Sequence, residues 1–213
     1  LKKLGKPLAA PSANPSNRTS PTKAKHIKEL FGKASPPTVD GGQAEVGLES
    51  TVLDLSGSKP TILRPGMITR AELANCLGID VELLSTIKSS KPCMPEKQLS
   101  APSPGMHQVH YAPKTPMKLY NSLGEFRDDQ NFGAGDAIIV SEEKIALELR
   151  GIGFPECTCL SIDGCPYTIA RNLYAALIEL DAHKTDRMHL IFSGENKGAS
   201  RAILDRLQRA AKA

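Results

Sequence analysis

The sequence contains no tryptophan, and aromatic residues make up only 4% of its 213 positions. A surface that holds nucleic acid by stacking many bases is therefore poorly provided for. No apolar run approaches the roughly 18 residues that a membrane-crossing helix needs, so no membrane association is expected. The phosphate-cradling pattern G-x-x-x-x-G-K-[ST] is missing. So is a complete G-x-G-x-x-G, of which Gly133-x-Gly135 and Gly151-x-Gly153 are only pieces. Without G-x-S-x-G there is no local signal for a hydrolase nucleophile, despite many serines. The five cysteines, at 76, 93, 157, 159 and 165, form no pair of C-x-x-C units, and nothing reads as a secretory leader. A reducing cytoplasm is the expected compartment. Cys157, Cys159 and Cys165 can offer three thiolates to zinc, but small buried or surface thiols are the favoured reading.

What is present resembles ordinary globular usage, with 40% apolar and 23% charged residues, which disfavours collagen-like and wholly disordered chains. The length fits one or two domains at about 150 residues each. A formal charge of +4 and a pI near 8.8 would suit a polyanion only if concentrated. The charge is spread, mildly basic up to residue 112 and nearly neutral beyond.

Residues 11–22, from Pro11 to Thr22, are dominated by turn formers and hydroxyls and read as a loop. Such a loop beside a helix start can cradle a phosphate, because unpaired N–H groups and the helix dipole favour anions; an ordinary capped loop is the competing reading. Thr22 is expected to cap a helix over about 23–32 that turns Ile27, Leu30 and Phe31 to one side. Val39 leads to a Gly41-Gly42 turn, and strands are expected at 50–55 and 61–63. Thr69 and Gly78 bracket a helix over 70–77.

From 85 to 112 the periodicity fails among prolines, serines and lysines, and the segment reads as a linker. Its end, from Pro104 to Pro113, carries Met106, His107, His110 and Tyr111, too many functional side chains for a plain spacer. His107 and His110, three apart, could bind a metal from a helix, but the flanking Pro and Gly oppose a helix there; contact with a ligand or the other domain is favoured. Beyond Lys114 strands are expected at 117–120, 136–140, 158–162 and 188–192, and helices near 142–150, 168–182 and 199–212. Ile169, Leu173, Leu177 and Leu180 mark one helix face; Ile203, Leu204 and Leu207 mark another. Such β/α alternation predicts a small, parallel, doubly wound sheet. Arg64, before Pro65-Gly66 at a strand end, is placed either to pair with phosphate or carboxylate, or to form a surface salt bridge.

Several segments together resemble the Sua5/YrdC/YwlC family. They are Ala9-Ala10-Pro11-Ser12-Ala13-Asn14 with Ser20-Pro21-Thr22, then Val39-Asp40-Gly41-Gly42, Glu49-Ser50-Thr51-Val52, Leu63-Arg64-Pro65-Gly66 and Ser103-Pro104-Gly105-Met106 with His110-Tyr111-Ala112-Pro113. Their order matches across essentially the whole chain. Ala170-Arg171-Asn172-Leu173 and Asp205-Arg206-Leu207 resemble the additional C-terminal domain of the two-domain Sua5 type. The implied fold is α/β: residues 1–84 as the C-terminal part of a YrdC-like α/β catalytic domain, 85–112 as an interdomain linker reaching the active site, and 113–213 as a small Rossmann-like parallel α/β Sua5 domain.

The resemblance implies an L-threonylcarbamoyladenylate synthase, a nucleotidyltransferase that makes threonylcarbamoyl-AMP and pyrophosphate from L-threonine, bicarbonate and ATP for t6A37 modification of tRNA. Downstream tRNA threonylcarbamoyl transfer machinery would be a partner, and Mg2+ would assist pyrophosphate departure. The chemistry needs aligned reactants and donors facing phosphate charge, with no covalent nucleophile. Carried over by position, Ser12, Ser20, Arg64 and Tyr111 would bind ATP, while Ala10 and Ser50 would hold threonine. Asn14 and Thr51 are weaker candidates, expected to organise their loops. Tyr111 would bring the linker across the pocket, excluding water from a labile anhydride.

The family pattern also includes an upstream segment with a basic K-x-R-type element, to which nothing in 1–213 corresponds. The chain by itself is accordingly expected to be inactive or nearly so. Two other functions stand against synthesis: a non-catalytic module that binds RNA or protein, and carbamoyl transfer in a related YrdC-like unit.

Overall fold

The computed structural model describes residues 2–84, 111–129, 131–154 and 156–212. Most of the expected linker, with His107, His110 and Cys93, lies outside the described residues.

The first half is built on a small mixed sheet. Strands β1 (Val52–Asp54) and β2 (Thr61–Arg64) pair antiparallel, with an irregularity between Val52 and Leu53, and β2 pairs parallel with β3 (Glu82–Leu83). Helix α1 (Ala24–Phe31) precedes the sheet and α2 (Arg70–Leu77) links β2 to β3. The Thr69 hydroxyl accepts from the Glu72 N–H while the Glu72 carboxylate accepts from the Thr69 N–H, and Gly78 closes α2 in the left-handed conformation. At α1 the expected cap is wrong. Lys23 occupies the cap position without a side-chain bond, and the Thr22 N–H instead donates to His26 Nδ1. Ile27 is buried on this helix, with Leu30 and Phe31 half-buried beside it.

The second half is a four-stranded, all-parallel sheet in the order β4-β7-β5-β6, formed by Met117–Tyr120, Met188–Ile191, Ala137–Val140 and Thr158–Cys159. The central β7 is buried at every position and β5 at three of four, while the edge strand β4 is buried only at its two ends, Met117 and Tyr120. That contrast follows from covering a parallel sheet on both faces. Helices α3 (Leu123–Asp128) and α4 (Glu143–Gly151) pack with Tyr120, Ile138, Val140 and Ile191 on one face. On the other, α5 (Pro166–Ala182) and α6 (Ser200–Ala210) pack with Ile139, Met188 and Leu190.

Compared with the sequence reading, the strand expected at 158–162 contracts to Thr158–Cys159. Chain exit toward α5 takes over at Ser161, whose hydroxyl bonds Asp163 and accepts from the Cys165 N–H. Helix α3 and strand β3 carry too few residues to display a period. Among the described residues no helix is long and apolar enough to cross a membrane.

The halves meet along α5 and α6. Lys23 and Lys25 of the α1 region both reach Glu179 on α5, at 3.1 and 2.8 Å. Met67 from the first half enters the core beside Tyr111, Leu173, Tyr174 and Leu207.

Candidate functional site

Glu49 gathers the site. It follows the turn at Gly47, where the chain lies so close to α5 that an added Cβ would stand 2.5 Å from the Ala170 carbonyl oxygen. Gly47 also has φ +78°, so both backbone conformation and space require glycine here. One Glu49 carboxylate oxygen, Oε1, accepts from the Ser20 hydroxyl at 2.7 Å. The other, Oε2, accepts from the Tyr174 hydroxyl at 3.1 Å and the Arg206 Nε–H at 3.0 Å. The Ser/Asn loop, α5 and α6 thus converge on one side chain.

Arg206 is 1% exposed although it carries a full charge. Its fork is filled by the Glu49 carboxylate, the Glu49 carbonyl at 3.5 Å and the Asp205 carboxylate at 2.7 Å. Burial alone would lower its pKa, but Tyr174, Glu49, Tyr111 and Asp205 outweigh it and raise the value. The guanidinium lies over the Tyr111 ring, 5.2 Å from its centroid, and Tyr111 stacks on Tyr174 at 6.0 Å.

Tyr111 is itself held from three directions. Its φ is +65°, its carbonyl accepts from the Thr19 hydroxyl at 3.1 Å, and the next residue, Ala112, donates its N–H to Asn17 at 3.1 Å. The Arg18 guanidinium reaches the Pro113 carbonyl at 3.0 Å. Burial raises the Tyr111 hydroxyl pKa, Glu49 adds to the rise, and Arg206 and Arg64 oppose it. The resemblance places Tyr111 over a pocket; in the fold its ring is a core group, 1% exposed, tied to the Ser/Asn loop.

Arg64 uses Nε and an Nη to grip the Ser50 carbonyl, at 3.2 and 3.1 Å. The Thr51 hydroxyl donates to the Ile68 carbonyl at 2.7 Å, just past Gly66, where a Cβ would collide with the Thr51 nitrogen at 2.2 Å. Asn14 folds back on its own loop, donating to the carbonyls of Pro15 and Arg18. Ser20, Ser50, Arg64 and Tyr111 are therefore brought together around Glu49, with Thr51 bracing the strand beside them. Ala10 and Ser12 sit on the exposed approach to this cluster, and among the described residues neither joins it. Beside the loop, Ser16, Asn17 and Arg18 face Ala112, Lys114 and Lys212 across a cleft of about 660 Å³.

The sequence reading places Glu49 and Arg206 within family-like segments but assigns no site role to them or to Tyr174. The available signals were the position of Glu49 directly before Ser50 and the presence of a charge among Ile203, Leu204 and Leu207. Among the described residues no group of three or more His, Cys, Asp or Glu side chains could hold a metal ion. Cys157 is buried and Cys165 caps α5, where N–H groups of Thr168 and Tyr167 lower the thiol pKa.

Comparison with known proteins gives a consistent result. Residues 68–212 match the family described as "Threonylcarbamoyl-AMP synthase, C-terminal domain", and residues 1–66 match one described as "Telomere recombination". A threonylcarbamoyl-AMP synthase from Bacillus subtilis is 32% identical over 99% of the chain, which spans 59% of that relative. One from Pyrococcus abyssi is 31% identical over 96% of the chain, which spans 58% of it. The crystal structure of P. abyssi Sua5 complexed with L-threonine superposes with a TM-score of 0.64 at 26% identity, covering 96% of this chain and 57% of that one. The chain thus spans nearly three-fifths of the relatives it matches.

Proposed function

From the premise that this chain belongs to the family of threonylcarbamoyl-AMP synthase C-terminal domains, we propose that it works in the synthesis of threonylcarbamoyl-AMP from L-threonine, bicarbonate and ATP. The observation that carries this reading is a linked cluster: Ser20 and Arg206 bond Glu49, Arg206 lies over Tyr111, and Arg64 grips the carbonyl of the next residue, Ser50. These residues come from separate segments of the sequence, and positioning chemistry needs that kind of assembly.

In this reaction the threonine amine takes up carbon dioxide from bicarbonate as a carbamate, whose oxygen attacks the α-phosphorus of ATP as pyrophosphate leaves. The protein supplies alignment and donors, with no covalent intermediate. In this reading Ser12, Ser20 and Arg64 serve the nucleotide, Tyr111, whose ring is buried, acts by holding the Ser/Asn loop beside it, and Ala10 and Ser50 serve threonine. Arg64 suits phosphate because its planar fork matches phosphate oxygens, and it already reaches Ser50 on the threonine side. Mg2+ accompanies ATP as its counter-ion. Glu49, the carboxylate in the cluster, is committed to Ser20, Tyr174 and Arg206, so the cluster does not fit a protein-held Mg2+ and no step is assigned through one. The product would feed a tRNA-modifying transfer reaction in the cytoplasm.

The test is incubation with ATP, L-threonine, bicarbonate and Mg2+, analysed by mass spectrometry for the adenylate, alongside thermal unfolding with and without ATP. Product with release of pyrophosphate is the expected result for the complete reaction. ATP-dependent stabilisation without product supports the nucleotide site alone. A folded protein that neither makes the adenylate nor responds to ATP overturns the proposal, and a steeply salt-dependent RNA complex would then favour the non-catalytic alternative.

A further inference from the structure

Arg206 lies in the second half of the chain, yet its contacts run toward the first. Of its three bonding directions, Nε and one Nη go to Glu49, and its guanidinium plane covers Tyr111. Glu49 in turn fixes the Ser20 hydroxyl at 2.7 Å, and Tyr111 receives Thr19 at its carbonyl. We propose that Arg206 is a positioning residue, through which the C-terminal sheet domain sets the orientation of the Ser20 hydroxyl and the Tyr111 segment at the nucleotide side of the site. This inference rests on the function proposed above.

Three features support it. A cation buried to 1% exposure inside an apolar helix face is costly to maintain and needs matched partners. Its partners are ones only a fork can satisfy together, because a lysine ammonium cannot meet the Glu49 carboxylate, the Glu49 carbonyl and Asp205 in one plane. Finally, Tyr174 on α5 donates to the same Glu49 oxygen, so two helices of the C-terminal domain hold one carboxylate oxygen. The Ser50 carbonyl is held by Arg64 through two bonds, so the threonine side keeps an anchor of its own beside the longer Arg206 bond to the Glu49 carbonyl.

The experiment is a double-mutant cycle on ATP affinity, measured by titration calorimetry on the unsubstituted protein, Arg206→Lys, Ser20→Ala and the doubly substituted protein. Each single change is expected to weaken ATP about tenfold, and the double change about tenfold as well, because both remove the same placement of Ser20. L-threonine affinity should stay within about twofold, a split that general loss of structure would not produce. Tyr174→Phe removes only a hydroxyl that donates to Glu49 and keeps the ring stack; it should weaken ATP about threefold and supplies the result if Arg206→Lys does not fold. ATP losses that multiply in the cycle, or unchanged ATP affinity in Tyr174→Phe and Arg206→Lys, overturn the inference alone. Absence of ATP binding by the unsubstituted protein overturns the function it rests on, and the inference with it.

Discussion

The Nε–H of Arg206 donates to Oε2 of Glu49 at 3.0 Å, joining two residues 157 positions apart. Replacing Glu49 by Gln leaves the buried guanidinium with Asp205 as its remaining anionic partner. Removing one of two carboxylates leaves the buried guanidinium only partly compensated, so the Glu49→Gln protein is expected to lose about 2 kcal/mol of stability. Urea denaturation measures it, and a loss below about 1 kcal/mol would mean that the pair is replaceable by water.

The turn that delivers Glu49 depends on Gly47. Gly47→Ala should cost more than about 1 kcal/mol, since the methyl group meets the Ala170 carbonyl and the backbone is left-handed. Gly41→Ala, where a Cβ meets nothing within 4 Å, is the control and should be nearly neutral. Equal melting temperatures for the two variants would contradict this account.

His26 makes stability depend on mildly acidic pH. Burial first, and then Lys23 and Lys25, hold its pKa below the ordinary 6.5, against the pull of Glu179. The unfolded chain therefore takes up a proton that the folded chain refuses, and stability falls as pH drops below about 6.5, levelling off once the folded pKa is passed. His26→Gln, which keeps an acceptor for the Thr22 N–H, should remove this slope. Denaturation midpoints at about pH 7.5 and about pH 5.5 would reveal a persistent slope if another group were responsible.

Asp129 acts at lower pH. Bonds from Lys118 and Tyr120, with help from Asn131, hold its carboxyl well below the ordinary 3.8, and the Tyr120 hydroxyl is raised by burial and by Asp129. With its folded pKa depressed, the contribution is fully present above about pH 4 and is lost as pH falls through the folded value. Asp129→Asn should flatten the acid limb of a stability profile. An unchanged limb would assign acid sensitivity to another carboxylate, such as Asp136, which Gly133 and His189 hold low in spite of burial.

Thr69→Ala deletes a capping box and should cost about 1 kcal/mol, read by thermal unfolding. A Thr69→Ser variant should retain most of that stability, because the hydroxyl supplies the bond.

The contrast between Thr69 and Thr22 shows how much of the fold was legible. Both stand just before a helix, and only Thr69 caps one. Glu72 stands three residues after Thr69 and completes a local exchange of bonds, whereas α1 starts one residue late for Thr22, with Lys23 at the cap position and the Thr22 N–H turned to the buried His26 ring. The long helices were visible because Ile169, Leu173 and Leu177 recur at helical spacing, and the parallel sheet because strand and helix patterns alternate. Short elements such as β3 and α3 offered no period to detect.

The sequence by itself determined the α/β class, the main helices and strands of the second half, the cap of α2, and the ordered segments that resemble one family. Those features arise from periodicity and from residue types acting within a few positions of each other. Tertiary structure alone decided the strand order β4-β7-β5-β6, the burial of Tyr111 under Arg206, and the meeting of Ser20, Tyr174 and Arg206 at Glu49. The contacts at Glu49 join residues from 29 to 157 positions apart, far beyond the few positions over which a local pattern acts. They follow from which helix faces cover which side of the sheet, and a buried cation finds its partner only after that packing has excluded water.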